Sequence, residues 1–247
     1  MTTLLFNPIL IAAAVIPAVF LLIRVYKADR LDKEPKGLLL SLVLFGILST
    51  FVALLTEKLG MALLRQFVRQ ESVLYNVILY FVIVACSEEG AKYVLLKIRT
   101  WNSPYFNCQF DGVVYAVFVS LGFALWENIG YVVENGFATA LVRALTAVPG
   151  HACFGVFMGV FYGAAKRFGG MRAPLRSRRC RRLSLLLPVL IHGSYDFIAT
   201  LPAKRAGLIF VLFVLVLFAL SYRLIKKAAA DDRYITQPYE PDGPQPF

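Results

Sequence analysis

One apolar run, from about Val73 to Leu96, combines two properties that seldom occur together. It is long enough to cross a bilayer as an α-helix, yet its interior carries Glu88, Glu89 and Lys92. A charged side chain at the centre of a membrane helix costs about 2.5–3.5 kcal/mol on insertion scales, so such residues usually face the interior of a helix bundle or a water-filled cavity. The sequence therefore predicts polar partners at the same depth.

Six further apolar runs have the length of membrane helices. With the first they predict an all-α, polytopic transmembrane bundle of about seven helices, and the hydrophobic fraction of 59% supports this class. We expect a single transmembrane domain over residues 1–230 and a disordered, acidic and proline-rich tail over residues 231–247. The predicted spans are Leu4–Val25, Gly37–Leu59 with an amphipathic extension to Phe67, Val73–Leu96, Phe110–Val133, Phe137–Ala165, Leu183–Leu201 and Leu208–Ile225.

The positions of the basic residues predict the orientation of this bundle. Arg24 is the first basic residue, and it follows the first apolar run. If the N-terminus lies outside, segments 24–36, 97–105 and 166–182 and the stretch after Arg223 lie in the cytoplasm. These segments hold most of the lysines and arginines, as the positive-inside rule requires. The predicted topology is N-terminus out and C-terminus in.

The net charge of +11 comes from the same basic residues that predict the orientation of the bundle. Because the basic residues cluster between apolar spans, their arrangement indicates membrane orientation rather than nucleic-acid binding. We therefore expect the lipid bilayer, and no nucleic acid, as a partner. The sequence does not indicate an oligomeric state.

Polar residues on three other predicted helices lie at a depth similar to that of the glutamate pair. At 1.5 Å per residue, Glu88, Glu89 and His192 all lie about 14 Å from the cytoplasmic ends of their helices, near the bilayer midplane. His151 is also central, and Glu127 lies somewhat closer to the outer side. We therefore expect these five side chains to converge inside the bundle.

Helical spacing adds neighbours to these residues, because residues three or four apart share a face. Lys92 lies one turn after Glu88, and Asp196 lies one turn after His192, where a carboxylate can fix the tautomer of the imidazole. Gly155, Gly159 and Gly163 continue the face of His151 at intervals of four, which predicts close packing of that helix against another. Asn128, next to Glu127, is typical of a contact between helices.

Two carboxylates beside a buried histidine suit hydrolysis. One glutamate can take a proton from water, while His192 either stabilises the oxyanion or holds the water, with Asp196 orienting the imidazole. Adjacent carboxylates titrate as a coupled pair, so the sequence leaves open which glutamate is the base. The same side chains can instead bind a divalent metal such as zinc, with Glu88, Glu127, His151 and His192 as candidate ligands. No cofactor is firmly predicted, since the sequence contains no H-E-x-x-H motif.

Two functions of other classes use the same features. A proton- or cation-coupled transporter also needs buried charges, although the sequence shows neither an internal repeat nor a pair of broken helices. A catalytically inactive scaffold could bind membrane helices through the glycine face of the fifth span. Loss of a measured hydrolytic activity on substitution of the glutamates and His192 would distinguish an enzyme from both.

Five short motifs occur in order along most of the chain, each on or beside a predicted helix. They are the charged loop D-R-L-D-K-E-P at 29–35, E-E-x-x-K at 88–92, F-x-x-x-E at 123–127, P-G-H-A at 149–152 and H-x-x-x-D at 192–196. Each motif is too short to be specific alone. As an ordered set they resemble the PrsW family of intramembrane proteases, which is related to the CAAX-protease and bacteriocin-processing group.

The resemblance implies a glutamic-type endopeptidase of a bacterial plasma membrane, with residues 1–230 as its catalytic domain. The catalytic residues it implies are Glu88, Glu89, His192 and Glu127, and the supporting residues are Lys92, His151, Asp196 and Asn128. Members of the family cut a membrane-bound anti-sigma factor, so the expected substrate is a single-pass membrane protein. The resemblance leaves a metal-assisted mechanism open.

Overall fold

Nine α-helices make up most of the part of the chain that the computed structural model describes, which is residues 8–70, 72–201 and 204–235, without the side chains of 204 and 205. They are α1 (Pro8–Ala28), α2 (Lys36–Phe67), α3 (Val73–Val77), α4 (Ala85–Thr100), α5 (Asp111–Asn135), α6 (Phe137–Leu145), α7 (Ala147–Gly170), α8 (Pro174–Ala199) and α9 (Lys204–Ala230). Within these described residues, six stretches are long and apolar enough to cross a membrane. The prediction of an all-α polytopic bundle is confirmed, and its orientation stays a prediction.

A π-helical stretch, Ile78–Val84, joins α3 and α4 into one continuous helix. It ends four residues before Glu88. π-helical turns are rare and occur often at functional sites. Helix α8 packs tightly against this stretch, because a Cβ atom on Gly193 would overlap the ring of Phe81. No pattern in the sequence predicts the stretch.

The predicted fifth span is divided into two helices at Thr146. Helix α6 ends at Leu145, the backbone of Thr146 has φ −122° and ψ −69°, and α7 begins at the next residue. Pro149 explains this break, because its nitrogen carries no hydrogen and its ring would clash with the carbonyl of Leu145 in a continuous helix. The predicted span thus corresponds to the candidate membrane stretch Phe137–Gly170, which consists of two helices and not of one.

The basic segment 166–182, which was predicted to be a loop between the fifth and sixth spans, is mostly helical. Helix α7 continues to Gly170, only residues 171–173 connect the helices, and α8 starts with Pro174. Proline suits the first turn of a helix, and arginine is a good helix former. Helix α8, which carries most of these arginines, is the one described helix of more than 20 residues that is not among the six candidate spans. Seven spans were predicted.

Helix α5 forms the centre of the bundle. Its residues 111–124 are all buried, and it packs against α1, α2 and α7. The predicted glycine face on α7 packs backbone to backbone, because a Cβ atom on Gly159 would overlap the backbone of α5 and one on Gly163 would overlap the backbone of Gln109, just before α5. This backbone-to-backbone packing fixes α7, and with it His151, against α5.

The charged loop at 29–35 lies against the first turns of α5. The hydroxyl of Tyr115 donates to Glu34 Oε1 at 2.7 Å, and both Glu34 and Asp29 are almost fully buried. Burial raises the pKa of Glu34 to about 7 and the pKa of Asp29 to about 6. These two carboxyl groups therefore take up protons near neutral pH.

Part of the predicted tail also lies at this end of the bundle. Residues 231–235 pair with residues 107–110, since Gln109 N donates to Arg233 O at 3.0 Å and Ile235 N donates to Asn107 O at 2.7 Å. Residues 236–247 lie outside the described residues, as do residues 4–7 of the predicted first span.

Candidate active site

The ammonium group of Lys92 lies at the centre of the polar cluster. It donates to Glu89 Oε1 at 2.7 Å and to Glu88 Oε2 at 3.2 Å, and it lies 3.2 Å from Nδ1 of His151 on α7. The ring of Phe123 on α5 covers it, with 3.8 Å between Nζ and the ring centre. Lys92 is fully buried, so its charge is balanced by side chains and not by water.

His192 on α8 lies between three carboxylates. Its Nδ1 is 2.9 Å from Glu89 Oε1, and its Nε2 is 3.4 Å from Asp196 Oδ2 and 3.9 Å from Glu88 Oε2. The ring of Phe154 stacks on the imidazole at a centroid distance of 4.6 Å. When protonated, the ring can donate a hydrogen bond to a carboxylate on each side, which fixes its orientation.

Glu127 joins the cluster through His151. Its Oε2 lies 2.9 Å from His151 Nε2 and accepts a hydrogen bond from Nη2 of Arg143 at 2.8 Å. Arg143 also donates from Nε to Oδ1 of Asn128 at 2.9 Å, and Asn128 donates to the carbonyl of Ala14 in α1 at 2.8 Å. Asn128 is thus a contact between helices that positions Arg143.

A cavity of about 330 Å³ lies beside this cluster, and only some residues of the cluster line it. Glu88, Glu127, His151, His192 and Asp196 all line it. Glu89 and Lys92 do not line it and are fully buried, whereas the side chain of Glu88 keeps 9% of its exposure. The two adjacent glutamates therefore have different surroundings, one beside the cavity and one behind it.

The cavity walls include residues that were not predicted to take part in hydrolysis. Tyr131 and Tyr195 lie toward the ends of α5 and α8 that are predicted to be extracytoplasmic, and Arg143 lies on α6. Glu57 and Tyr80 form the side made by α2 and the π-helical stretch. Glu57 carries the same signal as Glu88, a carboxylate in an apolar span. Nothing in the sequence marks Arg143 in this way. Its contact with Glu127 depends on the break between α6 and α7 at Thr146, which was not predicted.

Three side chains of the cluster have atoms of the kind that bind a divalent metal ion. Oxygens of Glu88 and Glu89 and a ring nitrogen of His151 lie within 4.8 Å of one another, and such atoms bind divalent metals. The ammonium of Lys92 already lies among them at 2.7–3.2 Å. Zinc, with ligands at about 2.0–2.2 Å, would need the same place. These residues therefore do not fit a metal while Lys92 is there, and the predicted ligands Glu127 and His192 are not part of this set.

Comparison with known proteins gives one consistent result. A family model described as "PrsW family intramembrane metalloprotease" matches residues 34–221. The proteins named Protease PrsW from Geobacillus kaustophilus and Halalkalibacterium halodurans are 35% and 34% identical to this chain over 219 and 225 residues, covering 89% and 91% of it and 92% and 99% of the relatives. Protease PrsW from Bacillus subtilis is 36% identical over 191 residues, which is 77% of this chain and 83% of the relative. No solved structure gives a significant match.

Proposed function

The chain belongs to the PrsW family of intramembrane proteases, and on that premise we propose that it hydrolyses a peptide bond of a single-pass membrane protein, with Glu88 as the base that activates water. The family is one of membrane-embedded peptidases, which favours hydrolysis over the transporter alternative. The observation that carries the assignment of the base is exposure: Glu88 lines the cavity, and Glu89 is buried behind it. A base must reach the water that it activates.

The proposed reaction uses two residues at the cavity wall. Glu88 takes a proton from a water molecule, the water oxygen bonds to the carbonyl carbon of the substrate, and the carbonyl oxygen becomes an oxyanion. His192 Nε2 donates a hydrogen bond to that oxyanion, while Glu89 holds the imidazole through Nδ1, at 2.9 Å. When the C–N bond breaks, the proton on Glu88 passes to the departing nitrogen, which leaves as an amine.

Glu89 and Lys92 hold these two residues in place. Glu89 Oε1 accepts hydrogen bonds from both Lys92 and His192, at 2.7 and 2.9 Å. The ammonium also keeps Glu88 within 3.2 Å, so a single buried cation orients both carboxylates. Such fixed charges need little reorganisation when the transition state forms.

The bond to be cut is proposed to lie near the outer leaflet. The cavity continues from Glu88 past Glu127 to Tyr131 and Thr200, at the ends of helices that the charge distribution predicts to be extracytoplasmic. A membrane-bound anti-sigma factor is the substrate that we propose first. The test is cleavage of such single-pass proteins by the purified full chain in liposomes, with mass spectrometry of the products. Cleavage only of soluble peptides would contradict the proposal.

Chelation should leave the activity unchanged, because the Lys92 ammonium takes the place that a metal would need. We expect the wild-type protein to purify with less than one equivalent of metal and to keep its cleavage rate in chelator. The Lys92→Met variant should lose cleavage and bind zinc more tightly than the wild type, measured by calorimetry. Inhibition of the wild type by a chelator, reversed by added zinc, would show a metal-assisted mechanism instead.

Replacing Arg143 should reduce cleavage without unfolding the protein. Arg143→Met leaves Glu127 with His151 as its close partner, so the cavity wall loses a fixed charge and His151 loses part of its support. Small misplacements of catalytic groups cost about 100-fold, so we expect kcat/KM to fall about 10- to 100-fold. Arg143→Lys, which keeps the charge but not the two-pronged contact, should fall between Met and wild type. Equal activity of all three proteins would exclude this role.

A further inference from the structure

A groove of about 710 Å³ lies on the other side of α7 from the polar cluster. Helices α1 and α9 make few contacts with each other, although both pack against α7, which forms the floor between them. The walls are apolar and include Phe20 and Val25 of α1 and Phe218 and Ile225 of α9, with Val156 on the floor. The groove contains none of the residues assigned to hydrolysis.

Four basic residues surround one end of this groove. Arg24, Lys27 and Arg30 lie at the end of α1, and Lys226 lies at the end of α9. All four are exposed. Among the described residues, none of the four lies within 4.0 Å of a carboxylate oxygen or donates a side-chain hydrogen bond. This end of the groove therefore has positive charge that no carboxylate neutralises, next to the apolar walls.

We propose that the groove binds an anionic glycerophospholipid. Its acyl chain would lie between α1 and α9, and its phosphate would lie among the four basic residues. Basic pockets between membrane helices on the cytoplasmic side bind acidic lipid headgroups, and the distribution of charge predicts that this end is cytoplasmic. The site is independent of peptide hydrolysis.

The charge at one end of the groove favours a lipid over a transmembrane helix. A transmembrane helix is predominantly apolar and has no fixed negative charge for the four exposed basic residues. An extended acyl chain is narrower than a helix, and a phosphate supplies the negative charge that the four cations lack.

Lipid in this groove would also support the helix that carries His151. Ala152 and Cys153 line the groove, and His151 precedes them on the opposite side of the same turn of α7. Binding should therefore stabilise the packing of α1, α7 and α9, which makes thermal unfolding a suitable readout.

The test adds phosphatidylglycerol or phosphatidylcholine with identical acyl chains to the full chain in detergent, and follows the midpoint of thermal unfolding. We expect phosphatidylglycerol to reach half its effect at a concentration at least fivefold lower than phosphatidylcholine. In the variant with Arg24, Lys27, Arg30 and Lys226 all changed to Gln this preference should fall below twofold. Arg24→Lys with Arg30→Lys should keep it. Equal effects of the two lipids on the wild type would overturn the proposal.

The matched control changes four other exposed arginines, which lie on α8 and are also predicted to be on the cytoplasmic side of the membrane. They are Arg176, Arg178, Arg179 and Arg182. Changed to Gln, they should leave the preference unchanged, and an equal loss would show attraction by overall charge only. Ala229→Trp, which fills the groove and leaves the cations, should abolish the effect of both lipids once circular dichroism shows that it folds. Displacement of phosphatidylglycerol by a single-pass helical peptide would make the groove a helix-binding site and overturn the lipid assignment.

Discussion

Replacing Glu88 with glutamine should abolish cleavage and leave the fold intact. The amide has the size of the carboxylate but cannot accept the proton of the attacking water, and general-base catalysis contributes about 10²–10⁴-fold. We therefore expect the rate of a single turnover to fall by about 10³-fold or more. The midpoint of thermal unfolding should move by no more than a few degrees, because Lys92 keeps its shorter contact, to Glu89 at 2.7 Å.

The control for this variant is Glu134→Gln, which changes an exposed glutamate on α5 and should cleave at the wild-type rate. Glu88→Asp should keep a small part of the activity, since the carboxylate remains but is shorter. A Glu88→Gln protein with more than a tenth of the wild-type rate would remove Glu88 as the base.

The neighbouring substitution, Glu89→Gln, should have a different primary effect. It leaves the buried ammonium of Lys92 and the Nδ1 atom of His192 facing an uncharged side chain, and breaking a buried ion pair costs about 3–5 kcal/mol. For a chain of this size that corresponds to a midpoint lowered by roughly 6–20 °C. Cleavage should fall as well, because His192 loses its anchor. Thermal unfolding in detergent, with cleavage at low temperature, separates the two effects.

A double variant provides the control for Glu89. Combining Glu89→Gln with Lys92→Met removes the uncompensated charge and should recover part of the lost stability, although not the activity. If Glu89→Gln were as stable as Glu88→Gln, the distinction between an anchoring and an active glutamate would be wrong.

The sequence was sufficient to predict the class of fold and the residues that converge. Depth along each helix follows from counting residues, and so Glu88, Glu89, His151 and His192 could be predicted to meet. Helical spacing likewise predicted the pairing of Lys92 with the glutamates, which is confirmed by their contacts. Both are properties of single helices, whose geometry a sequence specifies.

What could not be predicted depends on how the helices rotate and where they break. Whether Glu88 or Glu89 faces the cavity is set by the packing of α4 against α2, α5 and α8. Arg143 reaches Glu127 from α6, which the break at Thr146 separates from α7, and Pro149 causes that break. Counting residues along a helix gives the depth of a side chain but not the direction in which it points. It could not show that Glu127 lines the cavity while Asn128, the next residue, binds Arg143 outside it.

The π-helical stretch at Ile78–Val84 has a consequence for chain length. A π-helical turn accommodates one more residue than an α-helical turn. If the same residues wound as a regular α-helix, everything after them would turn by about 100°, and Glu88 would leave the cavity wall. A relative that is one residue shorter in this stretch can therefore place the same glutamates correctly with an ordinary α-helix. A one-residue deletion between Glu88 and Lys92 has no such compensation, because it changes the spacing of the glutamates from the lysine. We therefore expect a one-residue gap before Glu88 to be compatible with activity, and a gap after Glu88 to abolish it.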